Sequence, residues 1–479
     1  MMAVVVRSAL LLLALAAVNG ARPSQPACPS KAIEVLPGQS IQSAADKAGE
    51  GAAICLKAGT HRLQKVAPLP RQSFYGEPGA ILNGAKLLTK FKKEGQFWTA
   101  DVGKFRESRH GLCKPDNETC NFTNRLFIDN EALKRSVDRE GVGPGWFYYD
   151  TEAGRVVFAD DPAGRLVEFS LYAYAFKSNA ANVLIHGVTV EKYANAAQRG
   201  AIDGKDASNW IIQNSIARLN AGAGIAVGSG GHIVGSEMHR NGQIGAVLVG
   251  NNVVLQGNRI TENNRAGFDF TWEAGGVKIA EGENALIDSN AVSRNDGPGL
   301  WCDILCRDVT FQNNRVEYNA DAGIFHETSY RAVIRNNFVR FNGQALRAWY
   351  WGADILIAAS ENVDVYRNSI ATRNEGAAIM LIDQGRTKPN GELHRTSGNL
   401  IHDNTIEFSG HGYVGGTTDT DMAHQNAAII ETGGNQFDHN TYKVKPQGQV
   451  LFVWGRERWA WDKFRLAGQE KRGNLRFIE

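Results

Sequence analysis

The sequence has little net charge, with 52 Lys and Arg against 50 Asp and Glu over 479 residues. That balance leaves no one-signed footprint for nucleic acid or an anionic membrane surface. Long apolar runs are lacking too. The one hydrophobic stretch, residues 8–17 behind Arg7, is too short for a comfortable membrane span. Followed by Val18, Asn19 and Gly20, it reads as a signal peptide over residues 1–20, so a soluble, secreted or periplasmic protein is expected. Cysteine is scarce. The six form three local candidate pairs, Cys28 with Cys55, Cys113 with Cys120, and Cys302 with Cys306, and an exported chain permits disulfides. The last pair is the least expected, because a four-residue spacing on an extended strand is too long to bridge. Also missing are a Walker loop, a dinucleotide fingerprint, HExxH, a nucleophile elbow and EF-hand order, so no metal ligands are assigned.

What is present is a repeat. Apolar residues, two polar ones, an Asn and another apolar residue recur at Asn214, Asn258, Asn290, Asn314, Asn337, Asn368, Asn404 and Asn440, with Gly187 and Ser236 in the same slot. The short intervals define a coil of 22 to 24 residues, and the long ones add an insertion. A second marker follows at Asn220, Asn241, Asn263, Asn295, Asn319, Asn342 and Asn374, often with Gly four residues later. Apolar alternation broken by Asn/Gly turns favours strands. A coil that cannot bury its own apolar face must stack on its neighbours, letting equivalent Asn side chains bond up the stack.

The expected fold is therefore all-β, a right-handed parallel β-helix with a small inserted β subdomain. Residues 21–89 would hold an N-terminal cap, with helical character at 41–50, and the first coils. Residues 90–167 would form the insertion, 168–445 the coil stack, and 446–479 an aromatic C-terminal cap.

The stretches IQSAADKA, CLKAGTHR and FYGEPGAILNGA, with WEAGG at 272–276, GPGLWCDI at 297–304 and GIFHETSY at 323–330, resemble the pectin-lyase-like right-handed β-helix proteins, and among them bacterial exported carbohydrate-active members. The resemblance implies the fold strongly and the reaction weakly. That superfamily holds glycoside hydrolases, polysaccharide lyases, epimerases and non-enzymatic adhesins, and fold does not choose among them.

Aligned on the marker Gly residues 224, 245, 267, 299 and 323, period-two alternation points Asp269, Trp301 and Phe325 outward. Two residues on, Thr271, Asp303 and Glu327 point outward as well. Asp303 and Glu327 then share a column on adjacent coils, about 4.8 Å apart along the stack. Like charges that close raise one pKa, which keeps one carboxyl protonated as a general acid beside an ionised partner. His326 lands inward, as a satisfied core residue or the sign of a local bulge.

Four long coils add segments expected to follow this outward strand and wall a groove. They bring Trp272, Glu273, Lys278 and Glu281, then Trp349, Tyr350, Trp351 and Asp354. Next come Asp383, Arg386, Lys388, His394 and Arg395, and finally Asp419, Asp421 and His424.

The candidate catalytic residues are Asp303, Glu327, Asp269, Glu273, Lys278 and His326. The candidate substrate-binding residues are Trp301, Phe325, Trp349, Tyr350 and Arg386. The favoured reaction is hydrolysis of a polysaccharide or oligosaccharide by paired carboxylates. Elimination or epimerisation of a uronate is the alternative, through Lys278, His326, Arg386 or Arg395, and family members of that kind often use calcium. A non-catalytic glycan-binding or structural role is the third. No cofactor is expected otherwise, nor a nucleic-acid partner, and the chain is expected to be a monomer.

Overall fold

In the computed structural model, residues 28–478 are described apart from 106, 108, 346–348, 374–375, 420–428, 430–431 and 446–451. The signal segment, Asn374, Asp421 and His424 lie outside the described residues. Three sheets, with 13, 13 and 12 described strands, run along the molecule, parallel throughout except for the last strand of the third, Glu457–Trp459. One coil shows the plan. Ile211–Gln213 lies in sheet I, Ile216–Arg218 in sheet II and Ala223–Val227 in sheet III, and His232–Val234 returns to sheet I beside Ile211–Gln213. Parallel strands joined this way coil right-handedly. No helix among the described residues is long and apolar enough to cross a membrane.

The core consists of columns. On sheet I, Ile185, Ile212, Ile233, Leu255, Ile287, Phe311, Ile334, Val365, Ile401 and Phe437 stack in register, all fully buried. A matching column on sheet II runs from Val190 through Ile260 and Val316 to Tyr442. Each buried Ile or Leu contributes about 1.5–3 kcal/mol.

The expected asparagine ladders are present and buried. From Asn258 through Asn290, Asn314, Asn337, Asn368 and Asn404 to Asn440, each Nδ2 donates to the Oδ1 of the next coil's Asn at 2.9–3.0 Å. The residue before each rung is left-handed, with φ from 53° at Asp403 to 65° at Gly257, which turns the chain between sheets I and II. A second ladder runs from Asn220 through Asn241, Asn263, Asn295 and Asn319 to Asn342 at 2.8–3.0 Å.

Because every rung passes its donors forward, the final rung needs a partner with free acceptor oxygens. Carboxylates supply it. Glu470 receives Asn440 Nδ2 at 2.6 Å and Tyr442 Oη at 2.7 Å, and Asp354 receives Asn342 Nδ2 at 2.8 Å and Thr372 Oγ1 at 2.5 Å. Asp354 is thus not the groove-wall residue expected, because the ladder draws it into the interior. Burial pushes both carboxyls up to about 7, against the donors that favour their charged form.

Both ends of the stack are covered. The helix Ile41–Ala48, capped by Ser40, buries Ile41 and Ala45 at one end. At the other, Phe464 of the helix Trp461–Leu466 stacks on Phe452 with ring centroids 4.1 Å apart. Between the first coils and the main stack, two small sheets of mainly antiparallel pairs occupy the stretch from Ala85–Leu88 to Val167–Ser170, with their own apolar core. Buried Glu168 ties this insertion to the stack, receiving Arg62 at 2.6 Å, Asn83 at 3.0 Å and the Lys192 ammonium.

All three local cysteine pairs are bridged, including Cys302–Cys306. The objection to that pair assumed an extended strand. Ile304 and Leu305 are instead left-handed, with φ of 63° and 61°, and bring the two Cα atoms to 6.4 Å, within bridging range. A β-branched residue rarely adopts that conformation, so Ile304 marks a strained turn directly after Asp303.

Two outcomes follow. Asn295→Ala orphans the buried donors of Asn263 and should cost on the order of 3 kcal/mol in urea unfolding, since each unmet buried group costs about 1–3 kcal/mol. An unchanged midpoint would show that the ladder is not what holds the register. Glu470, raised from 4.5 to about 7, stabilises fully below 4.5, and that stability is lost as pH rises through about 7. Glu470→Gln, which does not titrate, should therefore lower the melting temperature more at pH 5 than at pH 8, and an equal loss at both would contradict this.

Candidate active site

Sheet III carries the site, and its register follows a column of glycines. A Cβ at Gly245 would lie 2.7 Å from the Gly276 carbonyl, at Gly276 2.3 Å from that of Gly299, and at Gly299 2.7 Å from that of Gly323, with a ladder Asn crowding each. The member from the first long coil is therefore Gly276, not Gly267. Residues 264–274 leave the stack before the strand Gly275–Ala280 begins. Residues 343–345 and 349–354 likewise precede the strand Ile355–Ala358, while 384–398 follow Ala377–Asp383. The expectation that every insertion follows its strand is corrected accordingly.

This slip removes Asp269 and brings in Lys278. Asp269 is off the sheet, capping the short turn Phe270–Glu273 by accepting from Thr271 N at 2.8 Å. Lys278 pairs in register with Trp301, and Trp301 with Phe325. In the next outward column Ala280 pairs with Asp303, and Asp303 with Glu327. The adjacent acids expected from the repeat are on adjacent coils.

The two carboxyls are held differently. The Lys278 ammonium donates to Asp303 Oδ2 at 2.6 Å, and Thr328 Oγ1 donates to Oδ1 at 2.8 Å. Glu327 receives Trp301 Nε1 on Oε2 at 3.1 Å and Gln384 Nε2 on Oε1 at 2.7 Å, with Arg386 Nη1 3.5 Å away. Ala358, next in the column, is too short to cover Glu327, and Gln384 reaches back to it from one coil further. Burial, followed by the charge of Asp303, pushes the Glu327 carboxyl up to about 6, while Gln384, Lys278 and Arg386 pull the other way. Glu273 completes the group, with Oε2 4.0 Å from Lys278 Nζ and held by Gln198 Nε2 at 2.8 Å.

Trp301 does not form the open shelf expected for a sugar. Lys278 Nζ lies 3.3 Å from its ring centroid on one face, and Phe325 stacks on the other at 5.5 Å and 8°. Phe325 also packs against Trp351 and is buried. Because one column places a side chain every coil, flat rings there cover one another. Trp301 instead holds Glu327 through its indole N–H.

Trp349 and Tyr350 join the same apolar cluster, Tyr350 meeting Tyr413 at 4.9 Å and Trp349 Nε1 donating to the Asp419 carbonyl at 2.8 Å. His326 is inside the stack, its Nε2 donating to the Tyr330 carbonyl at 2.7 Å, and burial lowers it to about 4. A side chain on the inner face cannot reach the outward carboxyls, so His326 leaves the candidate catalytic set.

Sequence reading missed Thr328, Gln384 and Gln198 as partners of the acids. Only Thr328, directly after Glu327, carried a positional hint. Among the described residues no three His, Cys, Asp or Glu side chains converge as a metal site.

What the arrangement offers chemically is a carboxyl pushed up to about 6 by burial, beside a second carboxyl paired with a lysine. A family model described as right handed beta helix region matches residues 200–370. A solved structure described as XylC with xylose aligns at 12% identity and a TM-score of 0.60, covering 87% of this chain and 83% of that one. The A-module of a mannuronan C-5 epimerase from Azotobacter vinelandii aligns at 13% identity and a TM-score of 0.43, covering 92% and 94%. Comparison with curated proteins returns no match. At these identities the likeness is one of fold. With its three parallel sheets and laddered coils, the chain is a right-handed parallel β-helix protein.

Proposed function

We propose that the chain is an exported enzyme that hydrolyses glycosidic bonds in a polysaccharide or oligosaccharide, with Glu327 as general acid and Asp303 as nucleophile or base. The observation that carries this reading is the inequality of two adjacent outward carboxyls, one raised to about 6 and one paired with Lys278. Hydrolysis needs such a division of labour. Glu327 gives its proton to the glycosidic oxygen as the bond to the anomeric carbon breaks. Asp303 attacks that carbon or takes a proton from the water that does. As Glu327 loses its proton, Trp301, Gln384 and Arg386 donate to the carboxylate left behind. Three disulfides and the apolar N-terminal segment support export.

Lys278 and Arg386 beside the acids also suit a uronate, whose carboxylate they would neutralise during elimination or epimerisation. Incubation with a panel of polysaccharides separates the readings. New reducing ends without unsaturated absorbance support hydrolysis, an unsaturated product replaces it with elimination, and glycan binding without any product leaves a binding protein.

Glu327→Gln should lower turnover by about 100- to 10,000-fold, the usual weight of one acid–base group, with the melting temperature nearly unchanged. Asp303→Asn should abolish turnover too, but it strands buried Lys278 and should cost about 3–5 kcal/mol of stability. Full activity in Glu327→Gln would remove that residue from the mechanism. The general acid must be protonated, so kcat/KM should fall as pH rises through about 6. Lys278 helps hold Glu327 down, so Lys278→Met should move that falling limb to higher pH. A limb that stays in place in this variant would assign it to another group.

A further inference from the structure

A cavity of about 440 Å³ lies between the inserted subdomain and the coil stack, and it shares no lining residue with the Lys278–Asp303–Glu327 group. One wall is the loop closed by Cys113–Cys120, docked on the first long coil by Lys114 N donating to the Gly267 carbonyl at 3.1 Å and Asp269 N donating to that of Leu112 at 2.9 Å. The other wall is the turn between sheets II and III, around Asn263 and Arg294. Six cationic side chains line the space against three acidic ones. Of the cations, Lys114 is paired with Asp296 at 2.7 Å and Arg135 with Glu107, whereas Arg125, Lys134, Arg265 and Arg294 have no ion-pair partner among the described residues.

Arg125 is the informative one. It donates through Nη2 to the Cys120 carbonyl at 3.1 Å, while its buried Nε finds no hydrogen-bond partner. Burial, and secondarily the neighbouring Arg135, lower its pKa to about 10. A smaller space of about 150 Å³, also lined by Arg125, Lys134 and Arg265, continues along the same junction toward Arg240 and Asn220. At the rim, Trp146 is 38% exposed, with the Lys134 ammonium 5.4 Å from its ring centroid. Cations without ion-pair partners that converge on a cavity and an aromatic face at its mouth together suit a ring with C–H faces and an anionic substituent.

We propose that this cleft binds an acidic sugar unit of a glycan, through a carboxylate or sulfate group, as a site separate from the acid cluster. Arg125 and Arg265 receive the anion, and Trp146 covers the ring. The inference does not rest on the catalytic reading, because binding here needs neither Asp303 nor Glu327.

The test is calorimetric titration of the full exported chain with oligogalacturonate for the carboxylate, sulfated galactan oligosaccharides, which carry no uronate, for the sulfate, and neutral xylo-oligosaccharide as the control. One anionic ligand should bind and weaken with added salt. Arg125→Met and, separately, the exposed Arg265→Met should each weaken it by about tenfold or more, the worth of one hydrogen bond to a charged group. Glu327→Gln should bind as the parent does. Whichever anionic ligand binds names the group. If burying a methionine at 125 prevents folding, Arg265→Met and Lys134→Met carry the test. Equal binding of the neutral glycan, no binding of either anionic one, or affinity indifferent to these substitutions would overturn the proposal.

Discussion

Strands in a parallel solenoid could slide by two residues without turning one apolar side chain out of the core. Buried asparagines prevent this. Each Oδ1 takes two donors from the coil before it and each Nδ2 gives to the coil after it, so a slip would leave amides unmet along the whole stack. The ladders also require their own ending, which is why Asp354 and Glu470 are buried carboxyls where the pattern stops.

The same register makes the candidate site. A column that puts one side chain on every coil forces Asp303 against Glu327 and Trp301 against Phe325, at a spacing neither pair can relax. Repulsion between the acids is then answered by different partners: a lysine from the preceding coil for Asp303, and a glutamine and an arginine from a later insertion for Glu327. The disulfide-clipped turn directly follows Asp303, and the buried aromatic column of Trp301 and Phe325 lies beside the acids.

The insertions divide the outer face of sheet III. Those toward the C-terminal end pack Trp349, Tyr350 and Trp351 over the sheet and deliver Gln384 and Arg386 to Glu327. The segment 264–274 meets the disulfide loop of the inserted subdomain and opens the cationic cleft on its far side. Two chemically distinct surfaces thus arise from insertions in different long coils.

Sequence by itself determined the coil, its period, the ladder positions and the adjacency of Asp303 and Glu327, because all of these are local spacings repeated along the chain. It also identified the residues of sheet III that face outward wherever the glycine marker kept step. Only the tertiary structure decided that Gly276 and not Gly267 is the marker in the first long coil, since both look alike until the carbonyl of the next coil excludes a side chain. From that one choice Asp269 leaves the site, Lys278 moves from the expected groove wall into the outward column, and the face of Trp301 is covered. Partners such as Gln198 and Gln384 come from coils far away in sequence, and no local pattern records which long side chain crosses the gap. Spacing is inherited by neighbours along the chain, whereas contact across coils depends on how insertions fold back, which is decided only when the stack is complete.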